Sequence, residues 1–164
     1  MLKLSVITTG GTIEKVYSEQ TSTVENLDNQ IHRYLGRLRL PDCDVHVTPL
    51  MNKDSLEMTD ADRALIVNKC MESPENRIVI THGTDTMTDT AAVIAKTITD
   101  KTIVLTGAMI PWAFGSSDGL FNLGSALSFV QVLPPGVYVA MNGKCFPWDR
   151  VRKNRALGEF EEIL

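Results

Sequence analysis

Residues 6–14 read VITTGGTIE, an apolar run that stops at two threonines, two glycines and a third threonine. The run is short and partly β-branched, so it reads as the end of a strand, with the glycines as the turn that leaves it. Two kinds of chemistry begin this way. The backbone amides of a glycine pair can approach an anion closely, and a strand-end turn can present a hydroxyl nucleophile. The nucleotide loop G-x-x-x-x-G-K-S/T and the dinucleotide fingerprint G-x-G-x-x-G do not fit the spacing here. The stretch therefore suits a small anionic group, such as a carboxylate or an oxyanion, or else it is a plain strand-end turn.

Outward from this turn, short apolar runs alternate with longer amphipathic ones. Leu2–Thr8, Asp44–Leu50, Arg77–His82, Lys101–Thr106 and Gly136–Met141 read as strands, with Pro49 limiting the end of the second. Val24–Leu38 reads as a helix through Leu27, Ile31, Tyr34, Leu35 and Leu38. Thr59–Glu72 is the clearest helix: Thr59 and Asp62 resemble a capping box, and Ala61, Ala64, Leu65, Cys70 and Met71 give it an apolar face. Thr86–Ile98 carries Met87, Ala91, Ile94 and Ala95, and Leu120–Val132 carries Phe121, Leu123, Leu127 and Val130, until Pro134–Pro135 break the pattern. Strands separated by helices predict an α/β fold: three layers, a mostly parallel sheet with helices on both faces, and one domain over 1–164. Asn142–Leu164 differs. A basic patch (Arg150, Arg152, Lys153, Arg155) precedes an acidic run (Glu159, Glu161, Glu162), and the segment reads as a short hairpin plus a tail.

Composition narrows the function classes. Sixteen Lys and Arg against twenty Asp and Glu give a net charge of −4, and the pI is about 5.3. That balance is not the basic footprint of a nucleic-acid partner. No apolar run is long enough for a membrane span, and the first residues, MLKLSVITT, read as a strand rather than a leader, so a cytoplasmic protein is expected. Cys43, Cys70 and Cys145 are widely spaced with no C-x-x-C pair, so buried free thiols are expected rather than disulfides or zinc. His32, His46 and His82 are scattered, and no metal site is predicted.

In a parallel sheet, ligands gather at the carboxyl ends of the strands. A second loop falls there, THGTDT at 81–86. Asp85 suits a helix N-cap, but a carboxylate fixed at a strand end can equally hold a substrate ammonium. Thr84 offers a hydroxyl that a lysine or a tyrosine could help deprotonate. Lys153 and Tyr17 are the right types, although Lys153 among its arginines also suits a solvated surface.

Taken together, TTGGTIE at 8–14 and ITHGTDTM at 80–87 resemble, in order, the T-G-G-T-I and H-G-T-D-T signatures of the bacterial type I/II L-asparaginase family. LTGAM with Pro111, then DG and FNL at 118–123, then Met141-Asn142 extend the resemblance over nearly the whole chain. It implies a flavodoxin/Rossmann-like N-domain and an amidohydrolase that turns L-asparagine into L-aspartate and ammonia through a threonine acyl-enzyme, with no metal or organic cofactor. Thr12 falls on the nucleophile. Thr84, Asp85 and Lys153, the last aligned through Val151-Arg152-Lys153, fall on a second triad in which Asp85 also binds the substrate's α-amino group. Ser55, in DSLEM, falls on the serine that binds the α-carboxylate. Gly11 and Gly83 line the substrate, with backbone N–H groups near Gly11 and Thr84 facing the oxyanion. Tyr17 falls near the loop tyrosine that activates the nucleophile, in a shorter loop than the family's, and Leu56 stands where a glutamine often contacts substrate.

The resemblance also bears on assembly. Relatives carry a C-terminal domain that closes a neighbouring subunit's site and adds an acidic residue. This sequence reads as an N-terminal-domain-only member, so a homodimer or larger homo-oligomer is expected. Glu159, Glu161 or Glu162 of a second copy would restore the acidity. The other readings are a catalytically weak or inactive small-acid-binding protein, a glutaminase, or an ammonia-supplying subunit related to the tRNA-dependent amidotransferases.

Overall fold

The apolar run before the glycines is the second-position strand of a twisted sheet and is buried along nearly its whole length. The structure, a computed structural model, describes residues 1–27 and 30–164. β1 (Leu2–Gly10) leads into a 3₁₀ turn, Thr12–Glu14, and an antiparallel hairpin of β2 (Lys15–Ser18) and β3 (Thr23–Asn26). Then come α1 (Gln30–Leu35), β4 (Cys43–Lys53), a 3₁₀ turn at Ser55–Glu57, α2 (Asp60–Glu72) and β5 (Arg77–Thr81). α3 (Met87–Thr97), β6 (Thr102–Thr106), α4 (Gly119–Val132) and β7 (Gly136–Met141) follow, and β8 (Lys144–Pro147), β9 (Val151–Asn154) and β10 (Glu159–Glu162) end the chain.

The main sheet runs β4-β1-β5-β6-β7-β8, parallel except for β8, which pairs antiparallel with β7. Counting only its parallel strands gives the order 2-1-3-4-5, the flavodoxin-like arrangement, whose switch point lies between β1 and β5. The three-layer reading is therefore the observed one. Successive strand residues point to opposite faces, and two cores result. Ile7, Ile78, Ile80, Ile103 and Leu105 pack against Ile66, Val67 and Cys70 of α2 and Met87, Ala91 and Ile94 of α3. Leu4, Val6, Val79 and Val104 pack against Ile31 and Tyr34 of α1 and Leu123, Leu127 and Val130 of α4.

Several sequence expectations need correction. The segment predicted as a helix over Val24–Leu38 opens as a strand, because Thr23–Asn26 pairs with Lys15–Ser18; only Gln30–Leu35 is helical, and 28–29 lie outside the described residues. Pro49 does not end its strand. β4 is the sheet edge, where a residue without an N–H is tolerated, and it continues to Lys53 past a register shift opposite Thr8 and Gly10.

α2 turns a different face inward from the predicted one. Ala61, Ala64 and Leu65 are exposed, whereas Asp62, Arg63, Ile66, Val67 and Cys70 are buried. Buried charge is tolerated where it is paired, and both charged side chains have partners. Lys53 Nζ donates to both oxygens of Asp62 at 2.9 and 2.8 Å, and Arg63 reaches three oxygens described below. On α4, Phe121 is exposed and the buried position beside it is Asn122. Only Cys70 of the three free thiols is fully buried; burial pushes it up to about 12. The acidic run is no loose tail but β10, paired antiparallel with β9.

The capping box predicted at Thr59 is present: Thr59 Oγ1 accepts from the Asp62 amide at 3.2 Å and Asp62 Oδ2 accepts from the Thr59 amide at 2.8 Å. Thr59→Ala is expected to cost about 1 kcal/mol in urea unfolding with an unchanged m-value. An unshifted midpoint would mean that α2 does not depend on this cap.

Candidate active site

Three chain segments converge at the switch point, and glycines set how closely. Gly10 and Gly11 have φ of 98° and 82°, a left-handed conformation that other residues rarely adopt. A Cβ on Gly11 would lie 2.5 Å from the Gly83 nitrogen, and one on Gly83 would lie 2.7 Å from Ser55 Cβ. The turns after β1, β5 and β4 are thus stacked backbone on backbone. Hydrogen bonds join them: the Gly11 N–H donates to Lys53 O at 3.0 Å and Thr9 Oγ1 donates to Thr81 O at 2.8 Å. Ser55 Oγ accepts the Thr86 N–H at 3.1 Å, while Thr86 Oγ1 donates to Ser55 O at 2.8 Å.

Between these turns lies a cleft of about 280 Å³ lined by Gly11, Thr12, Lys15, Ser55, Thr84 and Asp85, with Asp54, Leu56, Glu57 and Gly83 completing its wall. That is at the small end for ligand sites, suited to a molecule of amino-acid size. A lysine from far along the chain binds two of the residues in its wall. Lys153 Nζ donates to Thr84 Oγ1 at 2.7 Å and to Asp85 Oδ1 at 2.9 Å. Its side chain is only 13% exposed, so it is no part of a solvated basic face. Asp85 does not cap α3. Thr86 takes the cap position without a side-chain cap bond, and the Asp85 carboxylate serves Lys153 and Arg155 instead.

Of the predicted site residues, Thr12, Thr84, Asp85, Gly11, Gly83, Ser55 and Leu56 line one cleft, and Lys153 is bonded to two of them. Leu56 is largely exposed at the rim. Tyr17 is not brought to this cleft. It sits on β2, 55% exposed, beside a different hollow with Val16, Ser18 and Glu19, because hairpin pairing fixes its segment. The three glutamates of 159–162 lie on the other strand of Lys153's own hairpin, opposite Asn154, Arg152 and Val151, while Phe160 pairs with Lys153 and Glu161 is bound to Arg152.

Sequence reading missed the support beneath the site. His82 Nδ1 lies 2.7 Å from Gly83 O, and Nε2 lies 2.8 Å from Thr90 Oγ1. A carbonyl can only accept, so Nδ1 carries the proton and Nε2 accepts from the threonine. Arg63 binds the far side, donating to Thr90 Oγ1 at 3.1 Å, Thr86 Oγ1 at 3.0 Å and Met58 O at 3.2 Å. The signal was present as a charged pair, Asp62-Arg63, within the 3.6-residue frame of Ile66, Val67 and Cys70. Burial, with Arg63 nearby, lowers the His82 pKa to about 4. Lysine pairing and the Thr59 amide hold Asp62 down at about 2. Among the described residues, no group of three or more His, Cys, Asp or Glu could hold a metal ion.

The family profile for asparaginase, N-terminal, matches residues 3–159. The chain belongs to the asparaginase family. An L-asparaginase from Thermococcus kodakarensis is 34% identical over 161 residues, 96% of this chain and 49% of that protein. The solved thermostable L-asparaginase from the same organism superposes with a TM-score of 0.89 at 33% identity, covering 99% of this chain and 51% of that one. A structure described as a probable cytoplasmic L-asparaginase from Campylobacter jejuni gives 0.84 at 31% identity, covering 99% and 53%. The chain spans about half the length of the curated relatives it matches. Within the family frame, the cleft holds both threonine-bearing loops, and the lysine joins the second of them.

The His82 shift makes a stability prediction. Between about pH 6.5 and 4 the unfolded chain binds a proton that folded His82 does not, so stability rises with pH across that window and is lost on acidification. The share is about 3 kcal/mol, complete by pH 4. Urea midpoints followed from pH 7 to pH 4 should fall less steeply in His82→Gln than in the unmodified chain; equal slopes would exclude a buried neutral imidazole.

Proposed function

We propose that the protein is an amidohydrolase that converts L-asparagine to L-aspartate and ammonia through an acyl-enzyme on Thr12. The observation that carries this reading is Lys153, 69 residues beyond Thr84, bonded to Thr84 and Asp85 in a cleft that Thr12 also lines. A bare threonine hydroxyl is a weak nucleophile, and an amine, a second hydroxyl and a carboxylate joined in one chain are the groups that move its protons.

In the proposed reaction, Ser55 Oγ donates to the substrate α-carboxylate and Asp85 receives the α-ammonium. Thr12 Oγ1 adds to the side-chain amide carbon, and its proton passes to the departing nitrogen as the C–N bond breaks and ammonia leaves. Thr84, held by Lys153, orients the water that cleaves the resulting ester and regenerates the threonine. The Gly11 N–H is committed to Lys53 O, so we assign the oxyanion to the Thr12 and Thr84 amides. The small cleft favours asparagine over its longer homologue glutamine.

Asp85 is 31% exposed and Leu56 68%, whereas acyl transfer profits from an enclosed site. We propose that residues 1–164, an N-terminal-type unit, self-associate as a dimer or larger assembly to complete the wall. A cytoplasmic setting, as described for the Campylobacter jejuni protein, goes with this reading.

Ammonia release from purified protein should occur with asparagine. Thr12→Val should lower it about a thousandfold or more, and Lys153→Met roughly a hundred- to ten-thousandfold, with urea midpoints near the unmodified value. Normal turnover by folded Thr12→Val would remove the nucleophile assignment. Sedimentation at micromolar concentration should show an assembly larger than one chain; a fully active monomer would remove the shared wall.

A further inference from the structure

Arg155 stands in the turn that follows β9, and its NH1 lies 3.1 Å from Asp85 Oδ1, the oxygen that already accepts from Lys153. Two cations thus converge on one carboxylate oxygen. The turn that presents Arg155 is built to hold its direction. Asn154 Oδ1 accepts the Leu157 N–H at 3.3 Å, Asn154 Nδ2 donates to Glu161 at 3.2 Å, and Gly158 closes the turn at φ 66°. The arginine side chain is 62% exposed. A pair this exposed contributes little to stability. Its larger consequence lies at the cleft, where the same carboxylate would receive a substrate cation.

We propose that Arg155 is a specificity-determining residue that competes with a substrate's α-ammonium for Asp85. It thereby shifts the site toward amides that lack this ammonium, namely the monoamides of simple dicarboxylic acids. The proposal rests on the assignment of Asp85 as the ammonium partner. An incoming ammonium must share the carboxylate with the guanidinium or displace it, and even at the other carboxylate oxygen it lies close to two like charges, whereas a substrate with hydrogen in that place leaves the pair intact. Arg152 supplies an internal comparison. It lies on the same hairpin with the same charge, but it is engaged with Glu161 at 2.7 Å rather than with Asp85.

The pair L-asparagine and succinamic acid isolates the amino group, since the two differ in nothing else. Arg155→Ala should raise the ratio of kcat/KM for asparagine to that for succinamic acid about fivefold, mainly through KM, as loss of an exposed pair allows. Arg152→Ala should leave the ratio at its unmodified value. A ratio within twofold of the unmodified one in Arg155→Ala, or an equal change in Arg152→Ala, overturns the proposal. Calorimetry with L-aspartate and succinate gives the same comparison without turnover. Arg155→Ala should favour aspartate over succinate about fivefold more than the unmodified chain does. Ammonia release without a shift in either ratio rejects the Arg155 role and keeps the amidohydrolase. A shift in binding without ammonia release rejects the amidohydrolase and keeps Arg155. Binding of neither ligand at millimolar concentration rejects both.

Discussion

The closeness of Gly11 to Gly83 is the constraint on which the site depends. Two loops leave neighbouring parallel strands at the switch point of the sheet, and neither has a side chain to hold the other off. The positive φ at Gly10 and Gly11 turns the first loop across the strand end instead of onward from it. The second loop in turn rests on Ser55, with no room for a methyl group between them. Thr12 and Thr84 come to line one cleft because the backbones beneath them touch. A side chain at either glycine would force apart the two loops that carry the hydroxyls.

The lysine arrives by a second device, a relay of asparagines. Asn122, fully buried on α4, donates to Gly107 O and to Asp118 Oδ2 at 2.9 Å each, and its Oδ1 accepts the Asn142 N–H at 3.3 Å. Asn142, held at φ 57°, accepts the Phe160 N–H at 2.8 Å. Phe160 pairs in register with Lys153. An unbroken line of contacts therefore runs from the first turn of α4 through the end of β7 to the hairpin that places the amine. Asp118 secures the near end by accepting the Met109 and Ile110 amides. A buried polar network of this kind is costly when incomplete and rigid when satisfied. A lysine so far along the chain needs that rigidity to stay within hydrogen-bond reach of Thr84.

The parallel core was legible because its strands are buried on both faces and read as apolar runs, and because the residues closing them, Gly10-Gly11, Gly83 and Gly107, are strong local signals. The cleft was legible as motifs: Thr12, Thr84, Asp85 and Ser55 each lie next to a strand end. What escaped was set by long-range pairing. Thr23–Asn26 sits within a helical-looking pattern, and only its partner strand makes it extended. The inward turn of Arg63 depends on hydroxyls supplied by Thr86 and Thr90, more than twenty residues away. Tyr17 was matched by residue type, and the type carries no information about which way a hairpin faces.

The motif residues divide by physical task. Gly11, Thr12, Thr84 and Asp85 line the cleft, whereas LTGAM, Asp118, Asn122 and Asn142 hold hydrogen bonds that frame it. Residues outside those motifs, among them Lys15 and Arg155, supply charges at the rim and near Asp85. Lys15, in the cleft wall, is tied to Asp54 at 2.8 Å and Lys153 to Asp85, so both lysines at the site are already paired. Arg155, the second cation at Asp85, divides the pull of one carboxylate between two partners, which weakens its hold on any further ammonium. On the proposed reading, the frame and the hydroxyls would supply the attack on an amide carbon in this cleft, and the balance of charge around Asp85 would set which amide is held there.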